Sequence, residues 1–538
     1  MAKKKLLFFS IFIIIILVFV LTIYNIIYKN NNIYLNNKDA APNFISIMLE
    51  ETAGSGEYKV SKSNKWPSKG YVFNKEMSYC NNGSTLTWNE NDNSVSVNIN
   101  KTDKCYVYFD IYVPTLVEYV KLQYTGTQGE NGLYYHDSTL ANGAGDNSYR
   151  YAGGDYVLTE AGKATGATMM IGYNNEVTTA LIDFYSSGTK QYVGSSFGAS
   201  GTTYYYLIKG DTTKYQTYHE ALNASVEKGY LTKDNVKNFV CFGSDATPCP
   251  TENLYRIIGV FNNQVKLIKW DYAKSSLLGT DGDYSIEYTV LSYSGKQGES
   301  PLSTTFFYWN AATSRNTWSE SNLNKVNLNT NFINNIGATW ANKIATTTWK
   351  VGGTRENIEY LVPKTAYQYE VGSSSLSTTY DAKIGLMYVT DYYYSATPSA
   401  WTLFGYDSDY TKSYVSAKGE NWLYGGADDW TISPSVTAFN YDVFFVLNEG
   451  GVLSTNAHDT SIGEYGCGVR PSFYLLPSVT YVSGSGTSSD PIRINWLTDI
   501  FEKILLKPVQ NEVKSSTYVE RITSFFVLWC SYNGCKHG

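Results

Sequence analysis

Residues 254–272 read LYRIIGVFNNQVKLIKWDY. Two apolar runs flank Asn262–Asn263, and asparagine tolerates the positive φ that a tight turn needs, so the stretch predicts a β-hairpin. Working outward, WTIS at 430–433, YDVFFVL at 441–447 and VRPSFYL at 469–475 read as further strands. IGLMYVTDYYYSA at 384–396 reads as a buried strand that turns into an aromatic loop. Leu323, Val326, Leu328, Phe332, Ile333, Ile336, Trp340 and Ile344 have near-helical spacing and predict two short helices. TYVSGSGTSSDPIRI, 480–494, closes the module with a Gly-Ser-Gly-Thr turn and a last strand. Helices lying between separate runs of strands predict an α+β, β-rich fold for residues 238–494.

Upstream, residues 43–113 alternate at period two. Leu86 with Trp88 and Val95, Val97 and Ile99 form apolar faces, and Cys105, Val107 and Phe109 alternate with Tyr106 and Tyr108. This predicts an antiparallel β-sandwich module. Residues 114–237 read as a connecting or insert subdomain, with a short amphipathic helix at LVEYVKLQY, 116–124, and the polar stretches GLYYHD and GDNSYRYAGG. An Asn-rich stalk, 31–42, precedes the sandwich.

The N-terminus sets the compartment. Lys3, Lys4 and Lys5 precede an apolar run from Leu6 to Tyr24. As a helix that run is about 28 Å long, close to the hydrocarbon core of a bilayer. The lysines hold residue 1 in the cytoplasm and send the chain from about residue 30 outward. Residues 1–30 are therefore expected to be a cytoplasmic tip and membrane anchor, with the lipid bilayer as partner through residues 6–28. A cleaved signal peptide is the alternative, but no A-x-A site follows the run.

Charged residues make up 17% of 538, and the net charge is −6 with no basic stripe, which excludes nucleic acid as a partner. Tyrosine stands out at 49 residues among abundant Ser, Thr, Asn and Gly, the composition of strands joined by polar turns. Seven cysteines suit an exported chain. Cys80 and Cys105 flank a strand-rich stretch and Cys241 and Cys249 close a short loop, so these are the expected disulfides. Cys530–Cys535 is a third candidate, and Cys467 is left over. No spacing fits zinc.

The ordered blocks LYRIIGVF, QVKLIK, IGLMYVTDYYYSA, DDWTISPS, CGVRPSFYL and GSGTSSDPI resemble an uncharacterised family of exported bacterial surface proteins. Trp430-Thr-Ile-Ser followed by Gly468-Val-Arg-Pro is similar to the closing strands of formylglycine-generating-enzyme-like, C-type-lectin-like modules. The resemblance implies a C-type-lectin-like module over 238–494 and a surface location, and it brings no activity. Residues 495–538 depart from the family's usual end and carry an apolar helical stripe, Trp496, Ile500 and Ile504 among it, expected as a helical tail.

Candidate chemistry is sparse. Asp281 with Asp283, Asp407 with Asp409, and Asp428 with Asp429 are acidic pairs in loops, and Asp281 and Asp283 are the expected ligands should calcium bind; no other cofactor is implied. Cys467 near His458 has the residue types of an activated thiol, but a buried thiol is the reading preferred. Tyr392, Tyr393, Tyr394 and Trp401 are the expected ligand-facing rings, with Tyr204–Tyr206 a second aromatic run. Trp422 and Trp430 are expected in the core, and Asp429 as the partner of Arg470. No G-x-S-x-G or H-E-x-x-H motif is present, so no catalytic residue is assigned. The expected function is non-catalytic: a membrane-anchored extracellular protein that binds a glycan or protein ligand or mediates adhesion. A surface hydrolase acting on glycans or peptides and a structural envelope protein are the alternatives.

Overall fold

The computed structural model describes residues 44–63, 65–67, 70–89, 94–98, 103–164, 169–173, 181–182, 203–206, 218–290, 302–436, 440–458 and 466–496. The expected anchor, stalk, Cys530–Cys535 pair and nearly all of the helical tail lie outside the described residues. Among the described residues no helix is long and apolar enough to cross a membrane. The chain is α+β and β-rich. It forms two compact units, one ending at Tyr112 and one beginning at Val113.

In the first unit a four-stranded sheet runs in the order Tyr58–Val60, Phe44–Glu50, Lys104–Ile111, Tyr71–Cys80. The hairpin Thr85–Asn89/Ser94–Asn98 supplies the other side of its core. Ile47, Val107 and Phe109 from the sheet pack with Val95, and Phe73 stacks on Trp88 at 5.4 Å between ring centroids. The expected wholly antiparallel module is corrected: Phe44–Glu50 runs parallel to Lys104–Ile111, in register from Phe44↔Lys104 to Leu49↔Phe109. The intervening strands provide the long return connection that a parallel pair requires. Cys80 and Cys105 are directly opposed across the sheet and form the expected disulfide.

The second unit is built on the hairpin read from the sequence. Leu254–Phe261 pairs with Gln264–Lys269, and Asn262 and Asn263 sit at φ 47° and 62°, the double left-handed turn that matches strand twist. The sheet continues on one side through Ser472–Tyr474 to Ile384–Gly385 and on the other through Ser148–Tyr151 to Leu133–His136. Residues of the expected connecting subdomain are thus integral to this sheet. Helix Leu116–Leu122, capped by Thr115 and Glu118, packs Leu116, Val117 and Val120 against the hairpin. A second sheet runs Tyr284–Val290, Leu302–Phe307, Cys467–Gly468, Asp429–Pro434, Asp442–Val446, Val452–Asn456. Near the chain's far end, Ile492 exchanges backbone hydrogen bonds with Phe239 and Cys241, and the Cys241–Cys249 disulfide closes the adjoining loop.

Two local expectations change. Leu323–Phe332 is wound as one π-helix continued by Ile333–Asn335, with a separate turn at Ala338–Ala341. Residues 384–396 form only a two-residue strand, Ile384–Gly385, before the helix Val389–Tyr394. Asp391 accepts the Tyr388 N–H and Glu370 accepts those of Val389 and Thr390, so acids satisfy the amides that a helix start exposes.

Candidate functional site

Strand register places five residues in one row across the central sheet: Tyr134↔Arg150↔Gly259↔Lys266↔Tyr474. Gly259 is required there because a Cβ would lie 2.2 Å from the Tyr149 carbonyl oxygen. The two cations beside it are buried but paired. Arg150 Nη2 is 2.6 Å from Asp146 and its Nε donates to Ser148 Oγ; Lys266 Nζ is 2.5 Å from Asp391. Rings enclose both charges. Phe261, Tyr394 and Tyr367 lie 4.7, 5.0 and 5.2 Å from the Arg150 guanidinium, and Tyr388, Trp349 and Tyr474 lie 4.4, 5.1 and 5.3 Å from Lys266 Nζ. Burial pushes the Lys266 pKa down against the pull of Asp391. Burial alone would raise Asp146, but the Arg150 charge and the Ser148 hydrogen bonds hold it well below the usual carboxylate range. Glu370, raised by burial, accepts from Val389 and Thr390 amides and from the Thr390 and Ser433 hydroxyls. These charges tie the sheet to the helices Pro363–Glu370 and Val389–Tyr394.

The rings expected to face a ligand lie inside. Tyr392, Tyr393, Tyr394 and Trp401 are at most 1% exposed. Successive helical residues project about 100° apart, so a triplet in a buried helix faces three walls. Each tyrosine hydroxyl finds a carbonyl: Tyr392 that of Gly450, Tyr393 that of Ile358, Tyr394 that of Asn142. Trp401 Nε1 donates to Ala396. These four are core residues, and the expectation of a stacking surface there is corrected.

Asp281 and Asp283, the expected calcium ligands, both accept hydrogen bonds within the fold. Asp283 is buried and accepts the Ala311 and Leu323 amides at 2.9 and 2.6 Å, so its oxygens cap a loop and the π-helix start. Asp281 accepts from the Asn331 side chain at 2.6 Å. Asp409 caps Thr411, and Asp428, raised to about 6 by burial, accepts the Asn448 amide. Asp429 takes Arg470 Nε at 2.6 Å inside the core, the expected pairing, with Trp422 and Trp430 buried as expected. Cys80, Asp103 and Cys105 lie close together, but both sulfurs are in the disulfide and Asp103 accepts the amides of Asn82, Ser84 and Lys104. Cys467 is buried in its strand, and His458 Nδ1 lies 3.3 Å from Ser314 Oγ. Thr203–Tyr206 pairs with Met169–Tyr173 in a small sheet.

A different aromatic group reaches solvent. Tyr135 and Tyr149 are cross-strand partners on the opposite face from Arg150, stacked at 4.6 Å, and Tyr124 meets them at 5.9 and 5.8 Å. All three are half-buried. Helix Leu116–Leu122 covers the sheet face only to its last turn, where Leu122 is 67% exposed, and the tyrosines continue that face beyond it. The edge beside them is closed. The Gln128 side chain both accepts from and donates to the Tyr135 backbone at 2.9 Å, while Leu133 N–H donates to Glu130 and Leu133 O accepts from Gly129. Period-two alternation in LYYH and SYRY was the available sequence signal for these rings; the closure by Gln128 had none. No family model, curated protein or solved structure matches the chain.

Proposed function

We propose that the chain is a membrane-anchored extracellular surface protein whose folded part binds a ligand without transforming it. The apolar run Leu6–Tyr24 with its three flanking lysines supports the anchor, and two disulfides fit an oxidising compartment. In this reading the family is that of the exported bacterial surface proteins named above. The first unit is a small sandwich next to the stalk, and residues 238–494 form a C-type-lectin-like head, whose first and last strands meet through Phe239, Cys241 and Ile492.

The observation that carries the binding role is the Tyr124–Tyr135–Tyr149 group. It is an aromatic cluster at the surface of a protein in which Asp283, Glu370, Asp391 and Asp429 are engaged by amides, hydroxyls or cations. Glycosidases need two carboxylates free to face a substrate, and Asp283, Glu370, Asp391 and Asp429 are instead bound into the fold. The test is an array of glycans and matrix proteins probed with the full-length chain. Reproducible binding to one class is expected, and silence across both overturns the reading.

A further inference from the structure

We propose that Tyr124, Tyr135 and Tyr149 form a stacking platform for neutral pyranose rings of a polysaccharide. The inference rests on the binding role above and names its ligand class. Three features select the occupant. First, size: tyrosines bury roughly 150–250 Å² each when fully covered, so three half-buried rings leave on the order of 200 Å² open, whereas a stable protein interface takes about 800 Å² per partner. One or two sugar rings fit that area.

Second, the backbone is unavailable. An extended peptide binds a sheet edge through its free N–H and C=O groups. Here the outward groups of Leu133 and Tyr135 are taken by Glu130, Gly129 and the Gln128 carboxamide. Recognition is left to ring faces and side chains. Third, the rim carries no excess of either charge: residues 122–129 read LQYTGTQG, flanked by Lys121 on one side and on the other by Glu130, which accepts from the Thr125 hydroxyl. Lys121 beside it is tied to Asn263 Oδ1 at 3.2 Å. A charged sugar would meet an attracting and a repelling charge together here, Lys121 and Glu130, while the apolar C–H face of a neutral pyranose matches the rings. Its hydroxyls meet neutral hydrogen-bonding groups, with Asn147 already at 3.2 Å from the Tyr135 hydroxyl.

The experiment measures calorimetric binding of the full-length chain to neutral gluco-, manno- and chito-oligosaccharides, with polygalacturonate as the anionic arm. Tyr135→Ala and Tyr149→Ala are expected to weaken the neutral ligand about tenfold each, the loss of one stacked ring. Tyr135→Phe and Tyr149→Phe keep the ring and are expected to stay within about twofold. Circular dichroism confirms that each variant folds. Neutral binding that the Ala variants leave unchanged overturns the platform and keeps the binding role. Preference for the anionic arm, or protein binding alone, overturns the ligand class. No binding to any sugar or matrix protein overturns the role itself.

Discussion

Asp391→Asn tests the buried charge row most directly. Asparagine keeps an oxygen for the Tyr388 N–H at 2.8 Å, so the helix start survives, but it removes the negative charge 2.5 Å from Lys266 Nζ. The Lys266 side chain has no exposure. Breaking one side of such a pair costs about 3–5 kcal/mol. Attraction to the Trp349, Tyr388 and Tyr474 rings returns about 1 kcal/mol, so the expected loss is about 2–4 kcal/mol. Lys266→Met with Asp391→Asn places a thioether against the same rings and is expected to lie within about 1.5 kcal/mol of the parent. The pH dependence has a defined sign. Burial lowers the folded-state pKa of Lys266, so between that value and 10.5 the unfolded chain holds more protons and stability rises with pH. Asp391 and Glu370 raise this folded pKa and Arg150 lowers it, so losing Asp391 drops it further and opens the window downward. The deficit of Asp391→Asn therefore shrinks as the pH rises from neutral to alkaline. Urea unfolding followed by tryptophan fluorescence reads both quantities. A loss under about 1 kcal/mol, a double variant as unstable as the single, or a deficit constant with pH would refute the assignment of a buried ion pair here.

Other expectations are simpler to state. Gly259→Ala drives a Cβ to 2.2 Å from the Tyr149 oxygen, and a loss of about 3 kcal/mol in thermal unfolding is expected; a loss under about 0.5 kcal/mol would mean the strands part freely. Asp428 is raised from 3.8 to about 6, so the native state retains a proton that the unfolded chain releases, and stability falls as pH rises across that window. Asp428→Asn is expected to flatten that fall in urea titrations, and an unchanged slope contradicts it. Asp283→Ala orphans the Ala311 and Leu323 amides and is expected to cost about 2–3 kcal/mol, while millimolar calcium leaves the parent's melting temperature unmoved. A calcium-dependent rise that the variant abolishes would restore the metal reading. Replacing Cys241 and Cys249 with serine is expected to cost about 2–3 kcal/mol for a loop this short, read by unfolding with and without reductant.

The central hairpin was legible because its evidence is local: two apolar runs and an Asn-Asn turn suffice. The Cys80–Cys105 pair was legible because the two cysteines flank a strand-rich stretch. The parallel pairing of Phe44–Glu50 with Lys104–Ile111 was not, since period-two alternation reports faces and is silent on direction. The helix at 389–394 hid for another reason. Val, Thr and Tyr favour strands, but Glu370 and Asp391 supply oxygens to the helix start, one of them from nineteen residues upstream of Val389. Tertiary hydrogen bonding overrode propensity there. Arg470–Asp429 was readable as a pairing because a buried guanidinium demands an acid, whereas the Arg150–Gly259–Lys266 row depends on a bulge between Ile257 and Gly259 that shifts register.

Tyrosine density misled for a physical reason that also explains where the open rings lie. A buried hydroxyl is costly unless it finds a partner, and when it does the ring contributes its full apolar area. A helix packed on all sides brings three carbonyls from three different segments into reach, so a run of three tyrosines there is well able to be internal. An edge strand offers the opposite condition. Its inward face is occupied by the side chains of alternate residues, here His136 and Tyr134, so Tyr135 and its partner Tyr149 must take the other face, where the covering helix has already ended. Exposure is therefore set by the length of Leu116–Leu122 relative to the strands beneath it. Extending that helix by one turn would cover about 5 Å more of the face and close the platform without changing any tyrosine.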